Sequence, residues 1–253
     1  MSESSENNIF DNYLSDHYAT VEKIDFKNDS DVQSLLEENS RVLNHNLGQL
    51  FSENVEKTSA ILDLGCGYGS FLYFLQSKKY INVTGVDIST QEIALCEKIF
   101  NSYNFVREDI LKFVSNTEKK FDVVYLSHVI EHIKKEDLFV FLEGVKRILN
   151  DKGIFVIVAP NSAAYFNAAA NRYGDWTHEI GFTELSLRQV LMVARFSDIE
   201  ARNFYGVGKP LLRFLRKSAL LLFELFVQIL GYDKQNVHTP SILMIAKIRR
   251  VSS

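Results

Sequence analysis

The sequence is short of cysteine and has no surplus of positive charge. Its 253 residues include two cysteines, Cys66 and Cys96, so we expect no disulfide framework and a reducing compartment. The 28 Lys and Arg residues stand against 32 Asp and Glu, a formal net charge of −4. General nucleic-acid binders usually carry a basic surplus, so no nucleic-acid partner is expected. The first ten residues, MSESSENNIF, lack the basic and apolar regions of a signal peptide. Together these features predict a cytoplasmic globular protein.

A long uninterrupted apolar run is also missing. Residues 211–230, LLRFLRKSALLLFELFVQIL, approach the length of a membrane span but contain several charged residues. On a helix, Arg213, Lys217, Glu224 and Gln228 form one narrow polar stripe on an otherwise apolar surface. We expect this helix to pack on the core or on a second subunit. The alternative is peripheral contact with the inner face of a membrane.

Apolar runs and helical patterns alternate from residue 60 onward. Buried strands are predicted at 60–64, 82–87, 103–109, 121–127 and 153–161, and helices at 71–77, within 89–102, and at 135–150. A helix at 183–196 and strands at 198–204 and 241–250 follow. This alternation predicts a parallel sheet with right-handed crossovers. Residues 1–58, helical around 31–51, are expected to form a cover over a main domain at 59–253, which carries a helical insertion at 209–232.

The first predicted strand runs directly into a glycine-rich turn. Residues 60–70 read AILDLGCGYGS, with Gly65, Gly67 and Gly69 at alternating positions. An open parallel sheet binds ligands at the carboxyl ends of its strands, and glycine lets the backbone approach a ligand closely. A dinucleotide fingerprint would have a third glycine where Ser70 stands. The turn therefore indicates a different nucleotide-containing cofactor.

Acidic residues follow the first three strands and refine that interpretation. Asp63, just before the glycines, would repel a pyrophosphate but suits a cofactor with a cationic amino-acid end. Asp87 ends the second strand, where a carboxylate can accept both hydroxyls of a ribose. Asp109 follows the third strand and is placed to meet an adenine amino group.

Five segments in order over residues 60–161 resemble the class I S-adenosylmethionine-dependent methyltransferases: ILDLGCGYGSFL, GVDIS, REDIL, FDVVYLSHVIEHI and GIFVIVAPN. The resemblance implies an α/β fold with an open, mostly parallel, seven-stranded Rossmann-like sheet, helices on both faces and a final antiparallel strand. It implies S-adenosylmethionine as cofactor. The cofactor-binding positions it implies are Asp63, Gly65, Cys66, Gly67, Gly69, Asp87, Ile88, Asp109, Ile110 and Ser127.

The segment after the fourth strand reads SHVIEH and offers groups for catalysis. On a helix opening there, His128, Glu131 and His132 would share one face. An alcohol acceptor gains from a general base, and we expect His128 to fill that role. The alternative is that these three residues and His178 hold a divalent metal, similar to small-RNA 2′-O-methyltransferases. Because His128 stands where those enzymes have a Glu, we expect no metal.

A polar cluster at 172–179, RYGDWTHE, lies beyond the fifth strand and supplies His178 as a second candidate base. This segment and FDNYLSDHYAT (10–20) resemble bacterial methyltransferases associated with polysaccharide gene clusters. The resemblance implies methylation of a hydroxyl on a saccharide, a lipid-linked glycan or another small acceptor. Alternatives are N- or O-methylation of a small metabolite, such as a quinone precursor or an aminosugar, and a non-catalytic cofactor-binding protein that docks through 211–230. The predicted acceptor-binding residues are Tyr13, His17, Asn161, Arg172, Tyr173, Asp175 and Trp176.

Overall fold

The computed structural model describes residues 26, 28–207, 210–231 and 236–248. Its helices are α1 (Asp29–Asn54), α2 (Ser70–Ser77), α3 (Thr90–Ile99), α4 (Ile110–Asn116), α5 (Leu138–Ile148), α6 (Ala168–Tyr173), α7 (Glu184–Val193) and α8 (Pro210–Ile229). Its strands are β1 (Ile61–Leu64), β2 (Val83–Asp87), β3 (Asn104–Arg107), β4 (Phe121–Ser127), β5 (Leu149–Pro160), β6 (Phe196–Phe204) and β7 (Ser241–Ile248). The long connection from Asn161 to Phe182 carries most of the acceptor-binding residues predicted from the sequence, and it is called the acceptor loop for that expectation.

The seven strands form one sheet in the order β3-β2-β1-β4-β5-β7-β6. Strands β1 to β5 are parallel, and β7 lies antiparallel between β5 and β6. The central strands β1 and β4 are buried along nearly their whole length because helices cover both of their faces. The predicted fold class is therefore confirmed, including the antiparallel final strand.

Each face of the sheet has its own apolar core. One core unites the sheet with α4, α5 and α7, and the other unites it with α1, α2 and α3. Helix α1 contributes Leu36, Leu47 and Phe51, all of them fully buried or nearly so. The helical pattern at 31–51 thus forms a helix that packs on the sheet. The carboxyl ends of β1, β2, β4 and β5 remain as the edge where a site can form.

Three local features differ from the sequence prediction. Helix α4 was not expected; Asp109 caps it by accepting a hydrogen bond from the Lys112 backbone N–H at 3.0 Å. Helix α6 inside the acceptor loop was not expected either. Strand β5 begins at Leu149, where the prediction continued the preceding helix to residue 150.

Candidate functional site

The glycine turn after β1 requires its glycines for two different reasons. Gly65, Gly67 and Gly69 have φ values of 72°, 50° and 92°, in the left-handed region that favours glycine. A Cβ on Gly65 would lie 2.4 Å from Val129 Cγ2, and one on Gly69 would lie 2.4 Å from the Phe100 ring. At Gly67 the nearest atom, Glu92 Oε1, is 3.5 Å away. Gly65 and Gly69 are therefore needed by the fold itself, whereas a Cβ on Gly67 would make only an ordinary van der Waals contact.

Asp63 supplies a buried carboxylate at the end of β1. The residue is 2% exposed, and its Oδ2 has no hydrogen-bond partner within the described part of the chain. Burial, and secondarily the nearby Asp87, raises the pKa of Asp63 well above its usual value. A carboxylate without a donor in a dry site favours a cationic ligand, because a cation restores the interactions lost with water.

The Asp87 carboxylate stabilises the glycine turn through hydrogen bonds to the backbone. Its Oδ2 accepts a hydrogen bond from the Gly67 N–H and its Oδ1 one from the Ser89 N–H, both at 2.9 Å. Burial raises the pKa of Asp87 and raises that of Glu92, its hydrogen-bonded neighbour, further. We infer that Glu92 keeps the proton and Asp87 the charge. The sequence interpretation missed Glu92, although Ser89 to Glu92 has the spacing of a helix N-terminal capping box.

The other predicted cofactor positions lie at the same edge of the sheet. Ile88, Asp109, Ile110 and Ser127 follow or end β2, β3 and β4 and are half-buried. Cys66 is different because its side chain is buried under the turn. A hydrogen bond with Cys96, followed by burial, raises the pKa of the Cys66 thiol well above its usual value. The Cys66 side chain therefore fills the interior and offers the cofactor only its backbone.

The chain after β4 forms a tight turn, and the predicted α-helix there is wrong. His128 has φ = 54°, and its N–H donates to the Val158 carbonyl at 2.9 Å. Only residues Ile130–His132 are helical, as one 3₁₀ turn. The turn still brings His128 Nδ1 to 3.6 Å from Glu131 Oε1, with the His128 side chain 52% exposed. Val129 touches Gly65, so His128 lies beside the glycine turn.

Two further histidine side chains lie close to the Glu131 carboxylate. Its Oε1 lies 4.0 Å from His132 Nε2 and 3.9 Å from His178 Nε2. Backbone bonds bring His178 there, because the N–H groups of Glu179 and Ile180 donate to the Glu131 carbonyl at 2.8 and 3.1 Å. The His132 and His178 side chains are 14% and 11% exposed. Burial lowers the pKa of His132. We call Glu131, His132 and His178 the Glu131 cluster.

The predicted acceptor-binding residues separate into two groups. Arg172 donates to the His178 and Glu179 carbonyls at 2.7 and 3.1 Å, and Asp175 Oδ1 accepts from the Thr177 N–H and hydroxyl at 2.8 and 2.6 Å. These two residues shape the acceptor loop. Tyr173 and Trp176 are instead 78% and 87% exposed at its surface.

Asn161 does not reach the acceptor side. It is fully buried, and its amide donates to the Val237 and Thr239 carbonyls at 3.1 and 3.0 Å. The Asn161 side chain therefore anchors the segment before β7, and the prediction of direct acceptor contact does not fit this position. Tyr13 and His17 lie outside the described residues.

Helix α8 turns a polar residue inward and an apolar face outward. Glu224 is 6% exposed, and its Oε1 lies 3.2 Å from His238 Nδ1. Six apolar residues are between 54% and 74% exposed: Leu221, Leu222, Leu225, Phe226, Ile229 and Leu230. The sequence predicted packing on the core or on a second subunit, and the described part of the chain leaves these six side chains uncovered. The side chains of Arg213 and Lys217 lie outside the described part. None of the helices in the described ranges is both long and apolar enough to cross a membrane.

Comparison with known proteins decides the family. Residues 35–194, well over half of the chain, match the Methyltransferase domain family. The chain belongs to this methyltransferase family. N-methyltransferase 4 of Papaver somniferum is 30% identical over 110 residues, which are 41% of this chain and 30% of that protein. The methyltransferase thus spans less than a third of that relative's length.

Solved structures agree with the fold of this methyltransferase. A SAM-dependent methyltransferase from Archaeoglobus fulgidus has a TM-score of 0.58 at 23% identity, covering 82% of this chain and 94% of its own. The 1,6-didemethyltoxoflavin-N1-methyltransferase of Burkholderia thailandensis, solved with bound 1,6-didemethyltoxoflavin and S-adenosylhomocysteine, has a TM-score of 0.57 at 16% identity. That alignment covers 99% of this chain and 92% of the Burkholderia enzyme.

Proposed function

We propose that this methyltransferase transfers a methyl group from S-adenosylmethionine to a hydroxyl group of a saccharide. The methyl donor is S-adenosylmethionine, and the residues present fit it. The buried Asp63 carboxylate, whose Oδ2 has no hydrogen-bond partner within the described residues, suits the ammonium of the methionine part. A Cβ on Gly67 would make only an ordinary contact within the fold, so we assign this glycine to the close approach of the cofactor to the backbone. Asp87, held by Gly67 and Ser89, is the residue that would meet the ribose.

The placement of His128 carries the proposal of a hydroxyl acceptor. A hydroxyl has a very high pKa, so a base that removes its proton during methyl transfer contributes about 10²–10⁴-fold to the rate. His128 is exposed beside the glycine turn, with Nδ1 directed at the buried Glu131 carboxylate 3.6 Å away. The carboxylate lies on the Nδ1 side of the His128 ring, which leaves Nε2 to accept the proton.

Exposure separates the two candidate bases. The His128 side chain is 52% exposed beside the glycine turn. His178, the second candidate base, has its Nδ1 against the Asn171 carbonyl at 2.9 Å and a side chain only 11% exposed. We therefore assign proton removal to His128 and place His178 in the Glu131 cluster.

The surroundings of the site favour a glycan carried on a lipid. Tyr173 and Trp176 expose flat aromatic surface on the acceptor loop. Helix α8 contacts this loop through Phe223, whose ring lies 5.0 and 5.1 Å from the rings of Tyr165 and Phe166. An exposed apolar surface next to an acceptor site suits an interface with lipid. The association with polysaccharide biosynthesis rests on this feature and on the sequence resemblance.

Substitution of His128 tests the hydroxyl proposal. With a panel of saccharide acceptors, we expect His128→Ala to lower kcat by about 10²–10⁴-fold. The Kd for S-adenosylmethionine, measured by calorimetry, should stay unchanged. His45→Ala, at an exposed position of α1, is the matched control and should keep full activity. Full turnover by His128→Ala would refute the assignment. Turnover of amines but not of hydroxyls would favour an N-methyltransferase, as the Papaver relative is named.

A further inference from the structure

We propose that the Glu131 cluster binds one divalent transition-metal cation of the Zn²⁺ type, through a Glu131 carboxylate oxygen and the Nε2 atoms of His132 and His178. One ligand atom from each of the three residues lies within 4.8 Å of the others. Imidazole nitrogen and carboxylate oxygen are ligands that such cations accept, and three protein ligands leave a coordination position open. The inference does not depend on the nature of the methyl acceptor.

The tautomer of His178 is fixed by the backbone. Its Nδ1 lies 2.9 Å from the Asn171 carbonyl oxygen, which can only accept a hydrogen bond. Nδ1 therefore carries the proton. In a neutral imidazole the lone pair is then on Nε2, which faces Glu131 Oε1 at 3.9 Å. Metal-binding histidines commonly donate their other nitrogen to a carbonyl in this way.

The tautomer of His132 follows from a chain of hydrogen bonds. The Thr177 hydroxyl donates its proton to Asp175 Oδ1 at 2.6 Å. Its oxygen therefore acts as the acceptor for His132 Nδ1 at 2.9 Å, and the Thr177 carbonyl is a second acceptor at 3.3 Å. His132 thus carries its proton on Nδ1. Its Nε2 lone pair also faces Glu131 Oε1, at 4.0 Å.

These two tautomers create an electrostatic conflict in the absence of a cation. Two imidazole lone pairs face a carboxylate that is 1% exposed, and both Glu131 oxygens lack a hydrogen-bond partner within the described part of the chain. An uncompensated buried carboxylate is costly, and adjacent lone pairs make it more so. A cation among the three atoms turns every one of these contacts into an attraction. The alternative is that one of the two histidines is protonated and that its positive charge takes the place of the metal. A measurement of metal binding distinguishes these two explanations.

A bound cation would connect the chain after β4 to the acceptor loop. His132 belongs to the former and His178 to the latter, while His128 Nδ1 is 3.6 Å from the same carboxylate. The cation would therefore lie next to the proposed base. A metal close to an acceptor hydroxyl also stabilises the developing alkoxide, although binding itself can be measured without any acceptor.

Metal binding is tested on the full chain after dialysis against a chelator. We expect Zn²⁺ calorimetry to give one ion per chain, and Co²⁺ to give a visible spectrum of a site with imidazole and carboxylate ligands. With the cation at about 100 times its Kd, linkage raises Tm by about 5–10 °C for a chain of this size. A wild-type chain that binds neither Zn²⁺ nor Co²⁺ would overturn the proposal.

Variants locate the bound ion. Glu131→Gln and His178→Ala should weaken Zn²⁺ binding by at least about 10-fold, whereas the control His45→Ala should bind as the wild type does. Thr177→Val keeps all three ligands but removes the hydroxyl that fixes the His132 tautomer, and it should lower affinity by about 10–100-fold. Circular dichroism checks that each variant is folded. Unchanged affinity in the folded Glu131→Gln and His178→Ala variants would place the ion elsewhere and overturn the assignment.

Discussion

Substituting Gly67 and Gly69 by alanine separates cofactor binding from fold stability. Both glycines have left-handed φ values, 50° and 92°. At Gly67 the added Cβ meets only Glu92 Oε1 at 3.5 Å, an ordinary contact. At Gly69 it falls 2.4 Å from Phe100 and 3.2 Å from Cys96 Sγ, inside the core. The two variants therefore share the backbone strain and differ in the packing clash.

The magnitudes follow from these contacts. The left-handed conformation costs a non-glycine residue about 1–2 kcal/mol. Gly69→Ala adds overpacking of about 1–3 kcal/mol, so we expect it to lose about 2–5 kcal/mol of unfolding free energy in total. Gly67→Ala should lose only about 1–2 kcal/mol. If the cofactor lies against Gly67, the added methyl group of the alanine clashes with it. A clash of about 1–3 kcal/mol lowers the affinity for the cofactor by about 5- to 150-fold.

Denaturant unfolding and calorimetry with S-adenosylmethionine measure the two quantities separately. We expect Gly67→Ala to bind poorly and to lose less unfolding free energy than Gly69→Ala does. Wild-type affinity in Gly67→Ala would refute the placement of the cofactor against this backbone. Equal destabilisation of both variants would refute the assignment of the packing clash to Gly69 alone.

Three further substitutions test other parts of the structure. Asp63→Asn should weaken cofactor binding yet raise the Tm of the ligand-free protein at pH 8. The reason is that the pKa of Asp63 is raised in the fold, so the wild type loses stability as the pH rises through this folded-state pKa. A stability–pH curve that the substitution leaves unchanged would contradict the prediction. Asn161→Ala should cost about 1–3 kcal/mol in denaturant unfolding, since two buried carbonyls lose their donor, and a neutral result would argue against its anchoring role. Phe226→Glu should abolish flotation with anionic lipid vesicles and change stability by only about 0.5 kcal/mol or less, whereas undiminished flotation would remove α8 from the membrane proposal.

The fold could be predicted because its signals are local. Parallel strands that are covered on both faces have sequences that are mostly continuous apolar runs, and the helices between them show apolar residues at a helical period. Helix α4, with the sequence ILKFVSN, was missed although it is as long as the helix predicted at 71–77. Its cap, Asp109, had been assigned only to the cofactor. The outward direction of the apolar face of α8 could not be predicted because sequence shows two faces but not which one the fold buries.

The site could be predicted only in part. The glycine turn and its acids follow one another in sequence, so their convergence could be inferred. The grouping of His128, Glu131 and His132 was inferred from helical spacing, but a left-handed residue and a 3₁₀ turn produce it instead. His178 reaches Glu131 through backbone hydrogen bonds of the acceptor loop, which no local pattern reveals.

The central claim, methyl transfer from S-adenosylmethionine to a saccharide hydroxyl, is tested most directly by following the methyl group itself. The purified protein is incubated with ¹³C-methyl-labelled S-adenosylmethionine and a lipid-linked saccharide, and the product is examined by carbon NMR. We predict a new resonance of an O-methyl ether, present with the wild type and nearly absent with His128→Ala. A label that appears on nitrogen or carbon, or equal O-methylation by His128→Ala, would contradict the proposed chemistry.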